Sequence, residues 1–203
     1  YYPDIIFTSG DYYKKIFEKY KNNKSIFIAG SNKLNQKILI NKNKENFCLV
    51  IPEAILSECK LLFQFTIEYT KRYDNLNFIW RLHPLMKIDN VLNQLRINKK
   101  DLNNIYFSDN SDEDFIKSKY CLYRGSTAII QGLKNLCYPV YLNSNLGINI
   151  NPIYDIKEIE NINSIDGLNL VVNKHKKDLN EIEIDYKISQ YFNVPSQKLI
   201  DLL

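Results

Sequence analysis

The strongest constraint in this sequence is an alternation of two kinds of segment. Short apolar runs bounded by Gly, Pro or Asn recur, and most are followed by a segment with apolar residues every three or four positions. Phe47–Glu53 (FCLVIPE) is one such run. A continuous apolar run of this length has no polar face, so it predicts a strand buried on both sides. The next twenty residues, AILSECKLLFQFTIEYTKRY, place Ile55, Leu62, Phe65 and Tyr69 on one stripe and predict a long amphipathic helix. Asn77–Pro84 (NFIWRLHP) predicts the next strand, stopped by Pro84. VLNQLRI then predicts a short helix and Ile105–Phe107 a strand, and Ser111-Asp112-Glu113-Asp114 supplies a hydroxyl and carboxylates for a further helix start. Tyr120–Tyr123 and Tyr138–Asn143 read as two more strands with a helix between them.

The first thirty residues repeat the pattern on a smaller scale. PDIIFTSG reads as a strand, DYYKKIFEKYK as a helix with Tyr13, Ile16, Phe17 and Tyr20 at helical spacing and Asp11 in its first turn, and SIFIAGS as a strand. Asn32–Asn46 is polar, rich in Asn and Lys and without period, and reads as a linker. Beyond Asn143 the pattern weakens: 143–155 is loop-like, 156–162 and 164–172 are mixed, and 194–203 predicts a terminal helix capped by Ser196. Strands alternating with helices of these lengths predict an α/β fold, a doubly wound parallel sheet of the Rossmann-like kind.

With 203 residues, 45% hydrophobic and 25% charged, the chain has material for one large core or two small ones. No apolar run approaches the roughly 20 residues of a membrane-spanning helix. Tyr1-Tyr2-Pro3-Asp4 has no basic leader and no initiating Met, so the sequence reads as a piece of something longer. The net charge of +4 comes from Lys scattered among Asn, the signature of a solvated surface and not of a nucleic-acid patch. Cys48, Cys59, Cys121 and Cys137 form no CxxC pair and sit in apolar segments, which predicts buried thiols in a reducing cytoplasm.

In a sheet of this kind ligands bind off the carboxyl ends of the strands. Three groups fall there: Pro52-Glu53, Arg81-Leu82-His83-Pro84 and Arg124-Gly125-Ser126-Thr127. In Tyr120–Cys137 (YCLYRGSTAIIQGLKNLC) a strand turns through Gly125 into a helix with Ser126 and Thr127 at its start and Ala128, Ile129, Leu133 and Leu136 at helical spacing. Such a turn aims backbone N–H groups at one point, suited to an anion, and Arg124 adds positive charge beside it. Ser126 and Thr127 are equally plain helix caps. Arg81 and His83, two apart on a strand, share a face and either contact a phosphate or ribose or serve as a salt-bridge arginine and a loop histidine. Glu53 either accepts from a sugar hydroxyl or is a first-turn acid. GxGxxG and GxxxxGK[ST] are absent. Asp109, Asp112, Glu113 and Asp114 lack metal-ligand spacing and predict a solvated helix start. His175 lies in a charged run, and two histidines without GxSxG argue against a Ser-His-Asp hydrolase.

RLHP together with YCLYRGSTAIIQGLKNLCYPVYL resembles the C-terminal, nucleotide-sugar-binding half of GT-B glycosyltransferases that build bacterial surface polysaccharides. Capsule and lipopolysaccharide Kdo transferases, polysialyltransferases and CDP-glycerol glycerophosphotransferases carry a similar HP motif and a later Ser-Ser or Ser-Thr pair. These match His83-Pro84 and Ser126-Thr127. The resemblance covers Phe47–Asn143. It implies transfer of a sugar from a CMP- or CDP-linked donor, without a bound metal or other cofactor, to a glycan or glycolipid acceptor. The donor nucleotide or phosphate falls to Arg81, His83, Pro84, Arg124, Gly125, Ser126 and Thr127, the ribose or sugar to Glu53, and leaving-group stabilisation to His83. It also implies that 1–31 end the N-terminal GT-B domain and begin the linker, that 32–46 are linker, and that 47–203 form the donor domain with its crossover helix. The catalytic base belongs to the N-terminal domain, so a piece like this is expected to bind donor without catalysing alone. The implied location is the cytoplasm, at the inner face of the membrane as a peripheral protein. A nucleotide-sugar epimerase of GT-B architecture and an inactive GT-B-like interaction domain are the alternatives.

Overall fold

The computed structural model describes residues 3–20, 25–32, 41, 43–108, 110–144, 149–154, 156, 159–174, 179 and 181–195. The chain divides into two units, one formed by 1–38 with 180–203 and the other by 39–179.

The larger unit is built on a six-stranded sheet. Its elements are β3 (Glu45–Ile51), α2 (Leu56–Arg72), β4 (Asn77–Trp80), α3 (Ile88–Leu95), β5 (Ile105–Phe107), α4 (Ser111–Lys117), β6 (Ser118–Tyr123), α5 (Ile129–Lys134), β7 (Tyr138–Leu142), β8 (Glu160–Ile162) and α6 (Ile165–Lys174). The strands lie in the order β5-β4-β3-β6-β7-β8, and every neighbouring pair is parallel. From β3 the chain steps outward to β4 and β5, then returns to β3's other side and steps outward again through β6, β7 and β8. That is the doubly wound order, with its reversal between β3 and β6.

The strand residues explain why the sheet is covered on both faces. From Phe47 to Ile51 every side chain of β3 is buried, as the unbroken apolar run requires. Cys48, Val50, Tyr120, Leu122 and Val140 belong to one apolar cluster with Leu62 and Phe63 of α2, Val91 and Leu92 of α3, and Leu168 of α6. On β6 the alternation turns Cys121 to the opposite side, against α4 and α5. There a Cβ on Gly132 would stand 3.0 Å from Cys121 Sγ and 3.4 Å from Phe115 Cε1. Phe63 stacks on Trp80 with centroids 3.9 Å apart, and Trp80 Nε1 donates to Thr66 Oγ1 at 2.9 Å. This bond satisfies the one polar atom that an indole brings into a core.

Several local expectations are corrected. Ile55 caps α2 in extended backbone and is exposed, so it leaves the apolar stripe. α4 is capped by Asn110, whose side chain accepts from Glu113 N–H, and not by Ser111. β8 and α6 arise where the sequence pattern was weak, because a three-residue strand shows no readable period. The terminal helix expected at 194–203 and most of the 32–46 linker lie outside the described residues.

In the smaller unit, β1 (Ile5–Thr8) pairs in parallel with β2 (Ser25–Ile28), and α1 (Asp11–Lys19) joins them. α7 (Glu181–Tyr191), which the sequence did not reveal, packs here. Tyr12 lies 4.6 Å from Tyr191 between ring centroids, and Asn193 N–H donates to Ser9 O at 2.9 Å. A Cβ on Gly10 would meet Tyr191 O at 2.4 Å, so the chain passes here only as glycine.

Candidate functional site

The reversal of strand order leaves a crevice between the carboxyl ends of β3 and β6, because the chain leaves these two strands in opposite directions. In the register of that pair Ile51 faces Tyr123, so Glu53 and Gly125 are each two residues past a matched position. They meet there. A Cβ on Gly125 would fall 1.4 Å from Glu53 Oε1 and 3.2 Å from Ile150 Cδ1, so the glutamate carboxylate rests directly on the glycine backbone. Burial first, then the neighbouring Glu58 carboxylate, push the Glu53 carboxyl above its ordinary range, while Arg124 opposes them.

Arg124 does not project into the crevice. Its side chain is 3% exposed; Nε donates to Glu58 Oε2 at 2.6 Å and Nη1 to the Leu142 carbonyl at 2.7 Å. The guanidinium also stands 5.9 Å from the Tyr141 ring centroid. The residue is thus a clasp joining the end of β6 to the first turn of α2 and the end of β7. Its charge is neutralised inside the fold behind the turn, not displayed on it. Glu58, which makes this possible, was missed: a lone acid in a helix's first turn carries no sequence signal of its partner.

Ser126 and Thr127 form a turn, not a cap. α5 begins at Ile129 with Ala128 at the cap position, and no side chain caps it. The carbonyls of Ser126 and Thr127 accept from the N–H groups of Ile129 and Ile130 at 3.3 and 3.2 Å. The hydroxyl-capped helix expected here is therefore displaced by two residues, because this first turn is closed by backbone bonds to the third residue on. Gly125 and Ser126 are half-buried and Thr127 is exposed at the crevice edge.

The Arg81–Pro84 segment also departs from expectation. β4 ends at Trp80, whose carbonyl accepts from Ser108 N–H just past the three-residue β5, and on the other side Arg81 N–H still donates to the Val50 carbonyl of β3 before the ladder stops. Arg81 and His83 lie beyond the end of the strand, His83 opening a turn in which its carbonyl accepts from Met86 N–H, so the strand rule that put them on one face does not apply. Arg81 turns toward α4, with its Cζ 5.6 Å from the Phe115 ring centroid. Burial lowers the pKa of its guanidinium, and Asp114 and Asp112 counter this. His83 is exposed, and its Nδ1 accepts from Leu85 N–H at 3.3 Å, which leaves Nε2 as the proton-bearing nitrogen pointing outward. The turn is tied to the start of α2: Cys59 Sγ lies 3.5 Å from Met86 Sδ and 3.4 Å from the Glu53 carbonyl. Burial pushes the Cys59 thiol up to about 11, so it is a packing group and not a nucleophile.

The crevice thus brings together Glu53, Gly125 and the Ser126-Thr127 turn, with the His83 turn tethered nearby through Met86. Arg81 and Arg124 are drawn into the fold on either side. Among the described residues no group of three His, Cys, Asp or Glu side chains is placed to hold a metal ion, and no helix is long and apolar enough to cross a membrane.

The sheet order defines a Rossmann-like, doubly wound α/β fold. A chain in the crystal structure of the GtfA/B complex has a similar fold, with a TM-score of 0.57 and 8% sequence identity over 93% of this chain and 42% of that one. The likeness supports a GT-B glycosyltransferase-like fold, and this chain spans less than half of its length. No family model and no curated protein matches the sequence.

Proposed function

We propose that this chain is the donor-binding half of a GT-B glycosyltransferase that moves a sugar from a CMP- or CDP-linked donor to a growing surface glycan. The observation that carries the reading is the crevice itself: Glu53 on Gly125 at the strand-order reversal of a GT-B-type sheet, beside a Ser-Thr turn. In this reading Gly125, Ser126 and Thr127 receive the donor phosphate with backbone N–H and hydroxyl groups. Pro84 fixes the turn that presents His83, whose Nε2–H faces the leaving oxygen. Glu53 accepts from a ribose or sugar hydroxyl. Arg124 acts from behind, holding the end of β6 in place, and Arg81 anchors the neighbouring turn.

In the transfer the acceptor oxygen bonds to the anomeric carbon while the bond from that carbon to the donor phosphate oxygen breaks. The electron pair of that bond stays on phosphate, and a hydrogen bond from His83 stabilises the charge that builds there. A base in the N-terminal domain takes the acceptor's proton. The reaction so read uses no metal, works on a glycan or glycolipid acceptor, and takes place in the cytoplasm at the inner membrane face. Calorimetric titration of CMP, CDP and UDP tests the assignment. A cytidine nucleotide is expected to bind best, and His83→Ala and Ser126→Ala each to weaken it about tenfold. Failure of the native chain to bind any of the three, or unchanged binding in both variants, refutes it.

A further inference from the structure

The Glu53 carboxylate stands where the proposed donor phosphate has to arrive. A Cβ on Gly125 would collide with Glu53 Oε1 and stand 3.2 Å from Ile150 Cδ1, so these two side chains fill the space above the glycine backbone. The Ile150 side is fixed. Ile150 N–H donates to Tyr141 Oη at 3.3 Å, and the next residue's side-chain oxygen, Asn151 Oδ1, accepts from Tyr123 Oη at 3.0 Å and from Ile153 N–H at 3.1 Å. The Glu53 side can move. Among the described residues no hydrogen bond or ion pair fastens its carboxylate, since Arg124 gives Nε to Glu58 and Nη1 to the Leu142 carbonyl. We propose that Glu53 is a gate on the phosphate seat: its carboxylate and the donor phosphate exclude each other, so the donor binds with Glu53 displaced or carrying a proton.

The inference rests on the donor reading for what comes to the seat. Two charged groups face the Glu53 carboxylate, Glu58 from the first turn of α2 and Arg124 from the end of β6. Two carboxylates against one guanidinium leave a surplus negative charge, which opposes an arriving anion. Displaced from Gly125, the Glu53 side chain is released to accept from the donor's hydroxyl. A proton on it removes the repulsion, and burial together with Glu58 already favours that proton. Anion binding that takes up a proton strengthens as pH falls.

The test is calorimetry on the 203-residue chain and on Glu53→Gln, which keeps the size and an acceptor oxygen but removes the charge. Circular dichroism melts confirm that the variant folds. The probes are CDP-glycerol and UDP-glucose, whose phosphates are all esterified or bridging and so do not titrate near neutrality as a terminal phosphate does. Cytidine, which brings no phosphate, is the control. At about pH 7.5 Glu53→Gln is expected to bind the better of the two probes about tenfold tighter than the native chain. Going to about pH 5.5 should tighten the native chain by a similar factor and leave Glu53→Gln flat. Cytidine should bind alike to both. Equal or weaker probe binding by Glu53→Gln, the same pH response in both chains, or an equal gain with cytidine overturns the gate and leaves the donor reading in place. If neither chain binds any of the three at either pH, the donor reading falls and takes the gate with it.

Discussion

Glu53 and Gly125 constrain each other's identity. Gly125 does not need a left-handed backbone, so its necessity is spatial: the carboxylate occupies the volume a methyl would take. Because that carboxylate is the far end of a flexible side chain, Gly125→Ala is expected to fold, losing about 1 kcal/mol as Glu53 is pushed aside. Glu53→Ala in the same chain should recover most of it, and urea unfolding of the two singles and the double measures the coupling. Additive effects would show that the two residues do not touch in solution. The raised Glu53 pKa has its own consequence. Between the ordinary carboxylate value of 4.5 and the raised one, the folded chain holds a proton that the unfolded chain has released. Folding therefore gains as pH falls through that window. The stability of the native chain relative to Glu53→Gln should rise as pH is lowered from neutrality toward 4.5, and a flat difference would contradict the burial of that carboxyl. At Arg124 the substitution is harsher. Arg124→Ala strands Glu58 and the Leu142 carbonyl in a largely dry site, for an expected loss of about 3 kcal/mol, and Arg124→Lys restores only part because a point charge cannot serve both acceptors.

At the scale of elements, the core face of α2 is organised by Trp80. It is the only tryptophan, so its fluorescence reports this contact alone. Thr66→Val keeps the shape of the side chain but leaves the indole N–H buried without an acceptor, and is expected to cost about 1–3 kcal/mol in urea melts. A change below the error of the melt would mean that water reaches the indole. The strands around this contact were legible in the sequence because burial on both faces writes itself as an unbroken apolar run, as from Phe47 to Ile51. The helix α2 was legible from its stripe. β8 and α6 were not, since Glu160–Ile162 borrows its strand conformation from the edge of β7 and has no local pattern of its own. The site divides in the same way. The places of Glu53, Gly125 and the Ser126-Thr127 turn at the strand ends were legible because strand ends are predictable from where apolar runs stop. The directions of Arg81 and Arg124 were not, because they are set by Phe115 on α4 and Glu58 on α2, far along the chain. Those partners are a matter of tertiary packing, which no motif spells out.

At the scale of the whole molecule, sequence order and structural unit part company. The β1-α1-β2 segment is a single βαβ piece with no buried residue on its helix, and Ile5, Phe7 and Phe27 are exposed on its strands. A two-stranded sheet of this kind is marginal by itself. What secures it among the described residues comes from far along the chain, at 191–193. Ser9 Oγ donates to Tyr191 O, Asp11 N–H to Asn193 Oδ1 and Ser31 N–H to Asn193 O, while Tyr12 and Tyr13 pack on Tyr191. The sheet and helices of the larger unit all lie within 39–179. Ending the chain after Leu179 is therefore expected to act unevenly. In hydrogen exchange read by mass spectrometry, peptides from 3–31 should lose nearly all protection, while those from β3, β6 and α2 keep theirs, because local stability follows local burial and bonding. Loss of protection throughout would show that the two units fold as one cooperative body, and retained protection in 3–31 would show that β1, α1 and β2 stand without α7.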